Sequence, residues 1–292
     1  MLKRPLLIEV DKAQAEWIIV AYLANDPAML HIIEQGLDAH AKTGSLISGV
    51  SLDIVSEERK ALGHITDPSL ILKAREEKFP NLEGTGFIPR NMTIRQMGKK
   101  SNHALNYDMT YRRFSLENET PERDSKRIVE AYHSIYPNIR HTFHANVRRD
   151  LERNRTLTNC FGRKRRFLGQ WSNDLFKAGY DHIPQSTVAD LINRAYCLIY
   201  EKETPYHTFL PVTQVHDSIL LESYYSSTEE LWEGLQRING YMSPTLTYNN
   251  HDFVIATDAQ GGYSWGEANM ADLSLTNYDT FSAQLEELEA AA

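Results

Sequence analysis

Two aspartates about two hundred residues apart, Asp11 and Asp217, each sit beside a short apolar run. Asp11 follows Leu6-Leu7-Ile8-Glu9-Val10, which reads as a buried strand. Asp217 lies in His216-Asp217-Ser218, between Val212-Thr213-Gln214-Val215 and Ile219-Leu220-Leu221-Glu222. That pattern is a hairpin whose tight turn presents one carboxylate. If both strands join one sheet, the carboxylates meet. At about 4 Å they repel by ~1 kcal/mol in water and ~4 kcal/mol at an effective dielectric of about 20, so the pair calls for a cation between them. Two divalent ions ~3.5–4 Å apart suit in-line phosphoryl transfer, one activating a hydroxyl and one steadying a departing pyrophosphate. Mg²⁺ is the expected ion, because it takes oxygen ligands and shares its shell with substrate phosphates. Either aspartate alone reads as a turn or cap residue; a third element makes the combination specific.

That element runs from Pro89 to Tyr107. Pro89 and Asn91 supply a helix entry, since Asn accepts a bond from the free amides of a first turn. At about 100° per residue, Ile94, Met97, Ala104 and Leu105 share one arc, with small Gly98 and Ser101 beside them. Arg95, Lys99, His103 and Tyr107 recur at steps of four on the opposite arc, so they stack along the helix as one exposed stripe. Taken alone, such a stripe is a solvated cationic face. Its chemistry also fits a ligand with a polyphosphate at one end and a flat ring at the other. The cations would hold phosphate oxygens and the two rings would stack on a base.

These residues need a frame, and 292 residues are enough for one large or two medium domains. No apolar run approaches the ~18–20 residues of a membrane span, and Leu6 to Val10 is too short for a signal-peptide core. Cys160 and Cys197 are the two cysteines, too few for a disulfide framework and in keeping with a reducing cytoplasm. The net charge of −8 argues against nucleic acid as a sum. Its distribution does not: eight basic residues lie between Arg148 and Arg166, against Asp150 and Glu152.

Helical signals run over Ala13 to Leu23, then through Met29, Ile32 and Ile33 to Gly36, and over most of Asp38 to Lys78. Pro80 to Pro89 is a Gly- and Pro-punctuated loop. Pro121 to Arg155 reads as helix broken at Pro137; His133, His141 and His144 within it lack the partners that a tetrahedral site needs. Phe161-Gly162 marks a hairpin, and Val188, Leu191, Ile192, Ala195 and Ile199 mark a helix entered near Ser186. Ser227 with Glu230 forms a capping box. Strand-like runs over Thr245 to Tyr248 and Phe253 to Thr257 flank the turn signal Asn249-Asn250. The acidic last twenty or so residues read as a frayed helix.

In this order the motifs resemble those of family A DNA polymerases, the DNA polymerase I group. Asp11-Lys12-Ala13-Gln14-Ala15-Glu16 is similar to the first palm motif, Arg95-x3-Lys99-x3-His103-x3-Tyr107 to the fingers motif, and Gln214-Val215-His216-Asp217 to the last palm motif. Phe161-Gly162-Arg163-Lys164 and Pro184 to Asp190 fall in the family's order and spacing, and Tyr241 to Glu267 resembles phage members. The resemblance covers nearly the whole chain. It implies an α+β fold, with an antiparallel palm sheet from residues 1–17 and 204–292 and large, mostly helical fingers from 18–203. It also implies template-directed DNA synthesis from dNTPs on a primer-template, with two Mg²⁺ ions. Asp11, Asp217 and the Lys12 carbonyl would ligand the metals. Arg95 and Lys99 would bind the triphosphate, His103 and Tyr107 would flank the nucleotide, and Glu16 would be the steric gate against a ribose 2′-hydroxyl. Gln185, His216, Arg163 and Lys164 would touch template or primer.

The chain departs from the family's pattern at three of these positions: His103 stands for the usual Phe or Tyr, Ser218 for a carboxylate and Lys12 for an aromatic. The family's thumb, earlier palm strands and frequent proofreading exonuclease have no counterpart. A palm sheet without its partner strands leaves an open edge. The expectation is therefore a cytoplasmic split polymerase, completed by a second polypeptide carrying thumb and upstream palm, with or without the exonuclease. A catalytically silent nucleic-acid-binding subunit and a relative of the single-subunit RNA polymerases are the alternative readings.

Overall fold

The computed structural model describes residues 5–82, 87–204, 208–266 and 269–291. In chain order its elements are β1 (Leu6–Lys12), α1 (Ala15–Ala24), α2 (Pro27–Glu34), α3 (Ala39–Ser48), α4 (Leu52–Leu62), α5 (Pro68–Lys78) and α6 (Ile94–Leu105). Then come α7 (Tyr111–Asn118), α8 (Glu122–Ile135), a π-helical turn (Ile139–His144), α9 (Ala145–Asn154), β2 (Thr156–Thr158), β3 (Lys164–Arg166) and α10 (Asn173–Lys202). The remainder is β4 (Phe209–Val215), β5 (Ser218–Ser223), α11 (Thr228–Met242), β6 (Leu246–Tyr248), β7 (His251–Phe253), β8 (Thr257–Gly262), β9 (Ala271–Leu273) and α12 (Tyr278–Ala290). The fold is α+β, as the resemblance implies. It divides into two compact units: Met1–Glu16, Thr158–Arg163 and Gln185–Ala292 form the first, Trp17–Leu157 and Lys164–Pro184 the second.

The first unit is built on a five-stranded sheet in the order β4-β5-β1-β8-β9, antiparallel throughout. Leu6, Ile8 and Val10 alternate onto the buried face of the central strand, which leaves Glu9 and Asp11 on the other. One strand beside β1 differs from the sequence reading. The run Phe253 to Thr257 is not one strand; it closes the β6–β7 hairpin and then enters β8, the second neighbour of β1. Thr-Asp-Ala-Gln-Gly-Gly has little β propensity and no apolar alternation. Its glycines serve close packing instead: a Cβ on Gly262 would lie 2.3 Å from the Asn269 carbonyl oxygen, and one on Gly261 would lie 2.7 Å from Leu273 Cδ1. The acidic tail is not frayed either. Asn277 caps α12 by accepting from Thr280 N–H at 2.8 Å, and Phe281 and Leu285 are buried.

The helix through Val188 to Ile199 does not start near Ser186. It is the second half of a 30-residue α10 that runs through Pro184. Pro184 forfeits one i→i−4 bond, and the buried apolar series on both sides, from Leu175 and Ile183 to Leu191, Ile192 and Ile199, carries the helix across it.

In the second unit, α3 and α6 cross at Gly44 and Gly98. A Cβ on Gly98 would lie 2.0 Å from the His40 carbonyl oxygen and 2.7 Å from Gly44 N, so glycine permits backbone-to-backbone approach. The entry to α6 is fixed by a buried pair. Arg75 donates to Glu58 at 2.7 Å and to the carbonyls of Pro89 and Met92 at 2.6 Å each. Glu58 also accepts from Ile94 N–H at 2.8 Å. With its hydrogen-bonding capacity used this way, the pair is a well-satisfied buried ion pair, and loss of one partner would cost about 3–5 kcal/mol. The expected cap at Asn91 is corrected: Thr93 Oγ1 accepts from Gln96 N–H at 3.2 Å, while Asn91 donates to the Asn118 carbonyl. Thr93 is the N-cap because Asn91 lies two residues too early for the first free amides of a helix starting at Ile94.

Gly98→Ala should destabilise the protein by about 1–3 kcal/mol, because the added methyl overpacks a backbone contact. Denaturant titration reads this directly, and an unmoved midpoint would contradict the close crossing.

Candidate active site

β1 pairs with β5 in a register that sets Leu6 opposite Ser223, Ile8 opposite Leu221 and Asp11 opposite Ser218. β4 and β5 are joined at His216-Asp217, with His216 in the left-handed region at φ 52°. Lys12 N–H donates to the Asp217 carbonyl at 3.2 Å, which ties the hairpin turn to the end of β1. Asp11 and Asp217 are thereby neighbours, as the sequence leads one to expect. Burial, followed by the facing Asp217 carboxylate, pushes the Asp11 carboxyl up to about 7.

Residues the sequence reading did not single out complete this face. Glu9, two positions before Asp11, accepts from Ser218 Oγ at 2.8 Å and from Trp265 Nε1 at 3.0 Å. Asp258 on β8 is the register partner of Asp11 on the other side. Its carboxyl is raised, first by burial and then by Asp272. Glu9 was legible from strand alternation, which puts residues two apart on one face. Asp258 lies in a run without a strand signature.

The Lys12 side chain turns to the opposite face, where it is only 1 % exposed. Its ammonium donates to the Ile255 carbonyl at 2.6 Å, Thr257 Oγ1 at 2.8 Å and Ser243 Oγ at 3.0 Å. Burial pulls its pKa down to about 7. Since that ammonium is spent on three acceptors, the apposed carboxylates fit a hard, oxygen-seeking divalent cation. Asp11, Asp217 and the Lys12 carbonyl are the groups that could hold it. Among the described residues no three His, Cys, Asp or Glu side chains converge on one metal position.

The other expected site residues of the first unit are Glu16, Gln185, His216 and Arg163. Glu16 lies half-buried in the first turn of α1. Gln185 is exposed on α10 and His216 is exposed in the hairpin turn. Arg163 makes a forked contact to Asp190, with Nε 2.8 and 2.9 Å from the two carboxylate oxygens and Nη2 closing the fork. That contact, together with Asn159, holds the Asp190 carboxyl below its usual range. Arg163 thus anchors its hairpin, while Lys164, Arg165 and Arg166 stay exposed.

In the second unit, α6 presents Arg95, Lys99 and His103 at successive turns, Lys99 and His103 exposed and Arg95 half-buried. Tyr107 falls beyond Leu105, the last residue of α6, so the regular stripe is three residues long rather than four. Asn106 ends the helix because it is drawn into the core, its side-chain oxygen accepting from Tyr132 Oη at 2.7 Å and its carbonyl facing His144 Nε2 at 2.7 Å. Arg95 Nε donates to Asp38 Oδ2 at 2.7 Å. Against the opposing effect of burial, hydrogen bonds from Ala41 N–H and Arg95 hold the Asp38 carboxyl below its usual range.

An antiparallel sheet with apposed carboxylates at the end of its central strand and in a neighbouring hairpin, plus a helical unit bearing a cationic stripe, is the palm-and-fingers class of architecture. The family model for DNA polymerase family A matches residues 88–267, and the chain belongs to that family. It is 23% identical over 235 residues to the thermostable DNA polymerase I of Thermus filiformis, covering 77% of this chain and 23% of that protein. It is 22% identical over 270 residues to DNA polymerase I of Borreliella burgdorferi, covering 90% and 25%. The chain thus spans about a quarter of the length of these relatives. Among solved structures, it is similar to the POL domain of Pol1 from M. smegmatis in complex with DNA primer-template and dNTP. The TM-score is 0.66 at 17% identity, over 89% of this chain and 40% of that one.

The raised Asp11 carboxyl gives a pH test. Between about 4 and about 7 the folded protein keeps a proton that the unfolded chain has released, so this group's contribution to metal-free stability falls as pH rises through that window. Asp11→Asn removes the fall. The variant's Tm should match wild type near pH 4 and exceed it by pH 8. A Tm difference that does not change with pH would contradict the crowding of Asp11 and Asp217.

Proposed function

We propose that this chain performs template-directed DNA synthesis, transferring a nucleotidyl group from a dNTP to a primer 3′-hydroxyl. The observation that carries the reading is the β1–β5 register, which brings Asp11 beside the turn that holds Asp217. Asp11, Asp217 and the Lys12 carbonyl would hold two Mg²⁺ ions. Magnesium held there would lower the pKa of the primer hydroxyl and neutralise charge on the leaving pyrophosphate. The primer oxygen attacks the α-phosphorus as the bond to the pyrophosphate oxygen breaks, and the hydroxyl proton leaves to solvent. Positioning and charge compensation are the protein's contribution to this step.

Lys99 and Arg95 grip the triphosphate, with Asp38 occupying only the Nε edge of the Arg95 guanidinium in support of that role. His103 and Tyr107 flank the nucleotide, and Glu16 crowds the 2′ position. Lys164, Gln185 and His216 contact template or primer, together with Arg163 once its hairpin is held by Asp190. Membership of the family supports these assignments, as does a solved relative that was captured with primer-template and dNTP. Ser218 leaves one carboxylate fewer than the family pattern, yet both principal aspartates are kept.

The chain acts as the fingers and palm of a larger assembly, with thumb and upstream palm supplied by further polypeptide. Support comes from β4, the outer strand of the sheet, which pairs only with β5 among the described residues and leaves Val212 and Val215 exposed.

Primer extension, with any polypeptide that co-purifies with the chain added, tests the reading. Asp217→Asn should abolish extension while DNA binding persists, and Lys99→Ala should raise the dNTP KM and slow turnover through about 2 kcal/mol of lost phosphate contact. Extension surviving Asp217→Asn would refute the carboxylate-pair mechanism.

Glu16→Ala should relax rejection of ribonucleotides, measured as the ratio of kcat/KM for dNTP over rNTP. A ratio that does not move removes Glu16 from the gate.

A further inference from the structure

His40 lies in the first turn of α3, directly beneath the α6 stripe, and is 5 % exposed. Its ring centroid is 5.7 Å from that of His103, with the planes inclined by 37°. That distance is within the range of an interacting aromatic pair. Asn102 Nδ2 faces His40 Nδ1 at 3.0 Å, which makes Nδ1 the acceptor, and Asn102 Oδ1 accepts from Thr43 Oγ1 at 3.1 Å. Thr43 Oγ1 is also 2.9 Å from Tyr136 Oη. The His40 ring is therefore held by a buried chain of polar side chains, and its backbone is set at the Gly44–Gly98 crossing. Burial first, then Arg95, keeps this imidazole neutral, with its pKa pulled down to about 3. Arg95, Asp38, His103 and Lys99 all act electrostatically on it.

We propose that His40 is a positioning residue for the nucleotide: its fixed ring backs the His103 imidazole and holds it in the orientation that stacks on the incoming base. This inference rests on the nucleotide-binding reading of α6 and assigns a residue that the reading does not use. An imidazole at position 103 has less stacking area than the family's Phe or Tyr. A second ring behind it restores the rigidity of a stacking platform, because an aromatic pair resists tilting where a lone exposed ring would rotate about χ1 and χ2.

Two substitutions separate the ring from its hydrogen bond. His40→Gln keeps an acceptor for Asn102 at similar volume but has no ring; His40→Phe keeps the ring and loses the acceptor. Binding of Mg·dATP to the full chain is measured by calorimetry, with near-UV circular dichroism confirming the fold. His40→Gln should weaken binding roughly fivefold, the size of one aromatic pair, and His40→Phe should stay within about twofold of wild type. In a His103→Ala background, His40→Gln should then have no further effect. Wild-type affinity in His40→Gln, equal losses in Gln and Phe, or full additivity with His103→Ala would each overturn the proposal. Lys99→Ala is the control for the underlying reading. If it weakens dATP binding while the His40 variants do not, only the backing role falls. If it too binds as wild type, the nucleotide site and the backing role fall together.

Discussion

The antiparallel pairing of β1 with β5 is the constraint on which the rest depends. It brings the Asp11 and Asp217 carboxyl groups together, and two ionised carboxylates so placed repel. The ladder and the buried face beneath it, Leu6, Ile8 and Val10 against Ile219 and Leu221, hold them there. Register is the sensitive quantity. A slip of one residue would turn Leu6, Ile8 and Val10 outward and send Asp11 into the core, so the hydrophobic pattern that folds the sheet also aims the carboxylate. Burial first, and then the Asp217 charge, raises the proton affinity of Asp11.

A second, independent piece of engineering sits in the helical unit. A cationic stripe keeps its spacing only if its helix is fixed, and α6 is fixed twice. The Glu58–Arg75 pair gathers the backbone of Pro89, Met92 and Ile94 at its start. The glycine crossing with α3 then seats its middle. The first turn of α3 adds Asp38 against Arg95 and His40 against His103, so the exposed stripe has a buried layer of its own. The Glu58 carboxylate and Arg75 guanidinium buy this order at the expense of desolvation, which the partners they share offset.

The chemistry was more legible in the chain than the architecture that carries it. Asp11, Asp217 and the α6 stripe are readable because each sits in a strong local pattern: an apolar strand, a hairpin, a 3.6-residue period. The partners of those residues are not. Asp258 belongs to a strand made by backbone pairing and glycine packing, with no alternation to announce it. Asp38 opens a helical stretch in the sequence, and only the fold reveals that one of its oxygens caps α3 while the other holds Arg95. Thr93 displaced Asn91 as the cap because the distant Glu58 carboxylate takes the amide of Ile94 and fixes where the helix begins. α10 ran through Pro184 because long-range burial outweighed one missing hydrogen bond. In each case a tertiary contact outvoted a local signal.

The measurement that bears most directly on the carboxylate pair is Mn²⁺ titration followed by electron paramagnetic resonance, on wild type, Asp11→Asn, Asp217→Asn and the double variant. If the two side chains share their cations, either single substitution should weaken Mn²⁺ binding severely and the double variant should be scarcely worse than the singles. Unaltered Mn²⁺ affinity in either single variant, or losses that simply add, would mean that Asp11 and Asp217 do not share a metal site.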